Sequence, residues 1–145
     1  MGDTKYAKSH RDLIMYQKTR KLAQEIFEKT KSFPKEEAYL LTDQIRRSSR
    51  SIGAQIAEAW AKRAYERHFI SKLTDADGVQ HETQHWLATA KDCGYLSQQV
   101  SDMLIEECRE IGRLIGSIIN KASLFCKPPT RFTRESRAEY FIEEQ

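Results

Sequence analysis

Proline is scarce in this chain of 145 residues: there are three, and two of them form the pair Pro128-Pro129. Glycine is nearly as rare, at six. So few helix breakers leave long uninterrupted segments. No run approaches about 18 consecutive apolar residues, so no transmembrane helix is expected. The opening MGDTKYAKSHRD carries no apolar signal core, and Tyr6 stands where myristoylation requires Ser or Thr. Cys93, Cys108 and Cys126 are odd in number and form no CxxC pair, which predicts reduced thiols in a cytoplasmic protein. No phosphate-cradling glycine loop and no G-x-S-x-G stand in the chain, and no segment alternates as a strand does between turn residues.

What is present is charge and helical periodicity. Charged residues make up 31% and hydrophobic ones 39%, the balance of one globular helical domain with a solvated surface. The net charge of +3 is unevenly spread. Residues 1–72 hold 16 Lys/Arg against 9 Asp/Glu, and residues 73–125 hold 4 against 8. A basic first half and an acidic second half suit an anionic partner, or contact between copies of the chain, or simply a solvated surface.

Four amphipathic helices are predicted. The first runs from about Leu13 to Lys31, with Tyr16, Leu22, Ala23, Ile26, Phe27 and Thr30 in its stripe and Asp12 as N-cap. Pro34 suits the first turn of the second, from about Lys35 to Lys62, and Glu36 and Glu37 suit its positive end. Its seam is Leu41, Ile45, Ser48, Ile52, Ile56 and Ala59. The third runs from about Glu66 to Lys91 through Phe69, Leu73, Ala76, Val79, Thr83, Trp86, Leu87 and Ala90. Gly94 suits the left-handed position after it. Ser97 caps the fourth, whose stripe is Leu104, Cys108, Ile111, Ile115, Ile118, Ala122 and Phe125. Short links make neighbours antiparallel, which predicts an all-α, up-down-up-down four-helix bundle over 1–126. The tail 127–145 is expected to hold a short helix at most, with Tyr140, Phe141 and Ile142 free to dock on the bundle or on a partner.

Small residues mark where helices or copies should approach closely. Between Ser48 and Ala61, eight of fourteen residues are Ser, Gly or Ala, among them Gly53, Ala54 and Ala57. Gly112 and Gly116 share a face of the fourth helix. Each helical glycine costs about 1 kcal/mol against alanine, so close backbone contact is the expected compensation.

The run from Arg11 to Trp60, with FPKEEAYLLTDQIRRSS (Phe33–Ser49) and SIGAQIAEA (Ser51–Ala59), resembles a bacterial four-helix-bundle family. ETQHWL (Glu82–Leu87) and AKDCGYL (Ala90–Leu96) extend the match to roughly residues 10–125. Some members are encoded in intervening sequences of large-subunit ribosomal RNA genes, and accessory variability proteins of diversity-generating retroelements share the fold. The family pattern has Asn where Gln55 stands and often Gly where Ala59 stands. The resemblance implies an antiparallel bundle assembled as a homopentameric ring. For some members it implies binding to nucleic acid or to a reverse transcriptase through a basic surface. It implies no catalytic activity and no cofactor.

Two constellations carry possible chemistry. His81-Glu82-Thr83-Gln84-His85 spells HExxH, the helical spacing of zinc proteases, with Glu106 or Glu107 as a conceivable third ligand. With Thr83 on the core stripe, His81 and His85 both point outward, which predicts surface histidines and no metal site. Glu82 and His85 make one ExxH, where a di-iron bundle needs two and two further inward glutamates. The second constellation is basic: Arg46, Arg47, Arg50, Lys62, Arg63 and Arg67, with Tyr65 among them. Arginines grip phosphates in pairs of hydrogen bonds and a tyrosine can stack on a base. Asp43 beside Arg47 and Glu58 beside Lys62 supply the ordinary alternative of helix-surface pairs. Trp60 and Trp86 are expected as packing or interface anchors. The sequence thus predicts a non-enzymatic homo-oligomer binding RNA or DNA, or a nucleic-acid enzyme. The competing readings are a protein-binding adaptor and, third, a zinc hydrolase.

Overall fold

The computed structural model describes residues 7–126. Their regular structure is α1 (Ile14–Thr30), α2 (Leu41–Ala61), α3 (Glu66–Asp92), α4 (Gln98–Asn120) and the single turn α5 (Ala122–Phe125), with no strand among the described residues. The links 31–40, 62–65 and 93–97 are too short for anything but antiparallel neighbours. Each long helix packs on the next in sequence, and α1 meets α4 to close the bundle. None of the described helices is long and apolar enough to cross a membrane. The expected docking tail, 127–145, lies outside the described residues.

The core forms where the apolar periodicity places it. All six predicted seam residues of α2 are buried, with Ile45, Ile52, Ile56 and Ala59 fully enclosed. Leu104, Cys108, Ile111 and Ile115 do the same on α4. In α1 the buried line is Met15, Thr19, Leu22, Ile26 and Thr30, so Tyr16, Ala23 and Phe27 flank the seam at partial exposure. The two buried threonines satisfy themselves within the helix: Thr19 Oγ1 donates to Tyr16 O at 2.6 Å and Thr30 Oγ1 to Ile26 O at 2.8 Å. In α3 the seam takes Gln80 as well as Phe69, Leu73, Ala76, Thr83, Leu87 and Ala90, while Val79 and Trp86, also expected there, lie at partial exposure. The Gln80 amide donates to Asp77 Oδ1 at 3.0 Å and accepts from Gln84 at 2.8 Å, which makes burial tolerable.

Two helix-end expectations and one ion pair are corrected. Asp12 does not cap α1. Its carboxylate accepts from Lys8 N and Ser9 N while Ser9 Oγ accepts from Arg11 N, a reciprocal cap on a 3-10 turn over His10–Asp12. Leu13 then intervenes in extended conformation before α1. The second helix begins at Leu41, not Lys35. Lys35–Glu37 is a separate 3-10 turn with Pro34 preceding its first residue, and Leu40 leaves the helical region at φ −117°, ψ −99°. Hydrogen bonds one residue shorter than helical ones tighten this stretch. Phe33 and Leu41 are thereby turned inward while Tyr39 and Leu40 face out. Tyr95 Oη donates to Glu37 at 2.9 Å and fastens the link to the α3–α4 corner. Glu58 pairs across the bundle with Lys72 of α3 at 3.0 Å rather than with Lys62. By contrast Gly94 does take the left-handed conformation, at φ 80°, and Ser97 Oγ accepts from Val100 N.

Candidate nucleic-acid interface

The basic cluster is divided by the fold. Arg46 and Lys62 stand about 24 Å apart along α2. At the far end, Arg63 lies 3.7 Å over the Trp60 ring and its Nε donates to Trp60 O at 3.0 Å. It folds back as a lid on an aromatic group in which Phe125 faces both Trp60 and Phe69. Lys62 and Arg67 are exposed beside it.

The nearer half is built against α1. Arg46 and Arg50 both lie over the ring of Phe27, at 4.7 and 5.5 Å, and Lys31 approaches the same ring at 4.9 Å. Three cations around one aromatic ring form a cation–π cluster. Arg46 is half-buried and is spent on the fold: its Nε donates to Thr30 Oγ1 at 2.7 Å and its Nη2 to Phe27 O at 3.4 Å. Arg47 is exposed and meets Asp43 at 3.4 Å. Arg50 is exposed and extends toward solvent beside two contiguous grooves.

One groove, of about 370 Å³, runs between α1 and α2, with Arg20, Gln24 and Tyr16 on one wall and Ser49 and Arg50 on the other. Gly53, Ala54 and Ala57 form its floor. The second groove lies on the other side of Arg50 and adds Arg46, Arg47 and Thr42. The small-residue stretch therefore shapes a surface as well as a contact. Arg20, Tyr16, Gln24 and Phe27 are the participants that sequence reasoning missed. They lie on α1, and only the helix–helix contact shows that this face of α1 sits beside Arg50.

The predicted close-packing residues separate in the same way. A Cβ on Gly53 would stand 2.8 Å from Thr19 Oγ1, so α1 and α2 approach there to a distance that only glycine admits. Ser48 is buried against α3, where its Oγ lies 3.0 Å from Thr83 Oγ1. A Cβ on Gly112 would stand 2.6 Å from Gln80 Nε2, but among the described residues nothing lies within 4 Å of one on Gly116. Among the described residues, Gly116 thus carries the helix penalty of glycine for no contact. Gly116→Ala is expected to raise stability by about 0.5–1 kcal/mol, read as a higher urea midpoint with an unchanged slope.

The HExxH run faces solvent. His81 and His85 are both exposed. His81 Nδ1 sits 3.0 Å from Asp77 O, His85 lies edge-on against Trp86, and Glu82 accepts from Trp86 Nε1 at 3.0 Å. Glu106 is occupied by Arg113 at 2.8 Å, and Glu107 faces Glu25 of α1. Among the described residues no three His, Cys, Asp or Glu side chains come together as a metal site. Burial pushes the Cys108 thiol up to about 12 and also raises that of Cys126, which leaves both as packed apolar groups.

Comparison with known proteins agrees with this architecture. No curated protein matches the chain. A crystal structure of a protein of unknown function from the S23 ribosomal protein family of Bacteroides thetaiotaomicron VPI-5482 is similar at 28% identity and a TM-score of 0.66. The match covers 73% of this chain and 98% of that one. The model of the 23S rRNA-intervening sequence proteins matches residues 11–117, which span α1 to α3 and nearly all of α4. With four antiparallel helices and that match over most of its length, the chain belongs to the 23S rRNA-intervening sequence protein family.

Proposed function

We propose that this protein is a non-enzymatic homo-oligomer, a pentameric ring on the family resemblance, that binds nucleic acid through the α1–α2 face. The observation that carries the reading is Arg50, held beside Phe27 and projecting between two grooves whose walls add Arg20 and Arg47. Guanidinium groups spaced along a groove suit a phosphate backbone. Repetition around a ring would multiply a modest patch through avidity. Binding of a structured RNA is expected at micromolar concentration, with affinity falling steeply as salt rises. Salt-insensitive binding, or none, would count against the interface. Light scattering is expected to give about five times the 16.9 kDa of one chain, and a mass near one chain sinks the ring.

A second reading, a protein-binding adaptor that recruits a nucleic-acid enzyme or another partner, draws on a different surface. Tyr39 is 91% and Leu40 63% exposed, and both line a groove with Trp86. Partner capture that survives nuclease treatment and fails in Tyr39→Ser/Leu40→Ser favours this reading over the first.

A further inference from the structure

The α1–α4 seam is the slightest of the four between neighbouring long helices, and two carboxyl groups meet in it. Glu25 of α1 and Glu107 of α4 are each partly buried and face one another in the seam that the Lys18–Glu110 ion pair also bridges, at 3.3 Å. Oε1 of Glu25 is closed off from solvent and meets no ordinary donor. Two ionised carboxylates in this position repel and leave an enclosed acceptor unsatisfied. One proton between them removes the repulsion and supplies the donor.

We propose that Glu25 and Glu107 form a proton-dependent latch, in which one shared proton holds α1 against α4 and its loss loosens α1. The groups around the pair support this. Burial first, then the hydrogen bond and charge of Glu25, push the Glu107 carboxyl up to about 7. Glu110, also on α4, adds to the rise, and Lys21 of α1 opposes it. Lys18 of α1 is drawn to Glu110 at 3.3 Å. Cys108, beside Glu107 on α4, stays an uncharged thiol.

The sign follows from proton linkage. Between about 4.5 and about 7 the folded chain holds a proton that the unfolded chain releases. The latch is therefore at full strength below about 4.5, weakens as pH rises, and is lost through about 7. Because α1 carries Tyr16, Arg20, Gln24 and Phe27, its release would also disturb the groove it shares with α2. The latch itself belongs to the chain alone and is measured without nucleic acid, so it stands or falls separately from that binding.

The test compares the full chain with Glu107→Gln and Glu25→Gln, each of which replaces a carboxylate of the pair by a neutral amide. Between about pH 5.5 and about pH 8.5 the wild-type melting temperature is expected to fall by about 5 °C more than in either variant. Amides of residues 14–30 should exchange about 10-fold faster at the higher pH, after correction for intrinsic rates, in the wild type only. His10, whose pKa burial lowers, titrates in all three chains, so the difference between them isolates the pair. A flat wild-type profile overturns the latch, and so does a wild-type slope retained in Glu25→Gln, whether or not Glu107→Gln folds.

Discussion

Reversing the charge of both Arg47 and Arg50 to Glu is expected to lower RNA affinity by about 100-fold and to reduce the slope of log affinity against log salt by about 2. Both side chains are exposed on α2 and border the same groove. Arg47 has only an exposed pair with Asp43 to give up, and such pairs contribute little to stability. Arg50 also gives up its place over the Phe27 ring, a contact of about 0.5–1 kcal/mol at an exposed site, so the double variant should melt within a few degrees of the parent and fail chiefly in binding. Arg46 is the wrong residue for this test, because its guanidinium joins α2 to Thr30 and Phe27 of α1 and its loss would confuse packing with contact. Reversing Lys62 and Arg67 at the other end of α2 is the informative control. An effect there as large as at Arg47 and Arg50 would move the interface to that end of the bundle. Unchanged affinity in both doubles would remove the basic surface from consideration and leave the adaptor reading.

Gly53→Val is expected to cost about 2–3 kcal/mol and to lower the melting temperature by roughly 6–10 °C. The first added carbon alone would stand 2.8 Å from Thr19 Oγ1 and 3.5 Å from the Tyr16 ring. Thr19 has little room to retreat, since it is buried and its hydroxyl is bound to Tyr16 O. The helices must then separate along a seam that also sets the floor of the groove. Coupling this change to Thr19→Ala should recover part of the loss, because the two sites share one contact. Additive losses in the double variant would show that the strain lies elsewhere. Gly53 and Gly116 thus make opposite predictions from the same residue type in the same secondary structure, and the space in front of each decides the sign.

How much of this was legible beforehand varies by residue. The α2 seam was legible because Leu41, Ile45, Ile52 and Ile56 are large, aliphatic and spaced at helical intervals, so burial follows from periodicity alone. Thr19 and Gln80 were not, because their hydroxyl and amide look solvent-seeking until the partners that satisfy them are seen. The start of α2 was missed for a local reason. Lys35, Glu36 and Glu37 are good first-turn residues, and nothing in them signals that Leu40 leaves the helical region and turns outward. The outward facing of His81 and His85 followed from their angular offset from Thr83. The Glu25–Glu107 encounter had no sequence signal, since the two residues lie on different helices and each resembles an ordinary surface glutamate.

The sequence by itself determined the helical class, the α2 seam and the family, because hydrophobic periodicity and ordered motifs are local in the chain. The tertiary structure decided which arginines serve the fold and which face outward, and which glycine is a contact. It also decided where two carboxyl groups on different helices meet. Those outcomes depend on what stands opposite each side chain across a helix interface, and one-dimensional spacing does not contain that information.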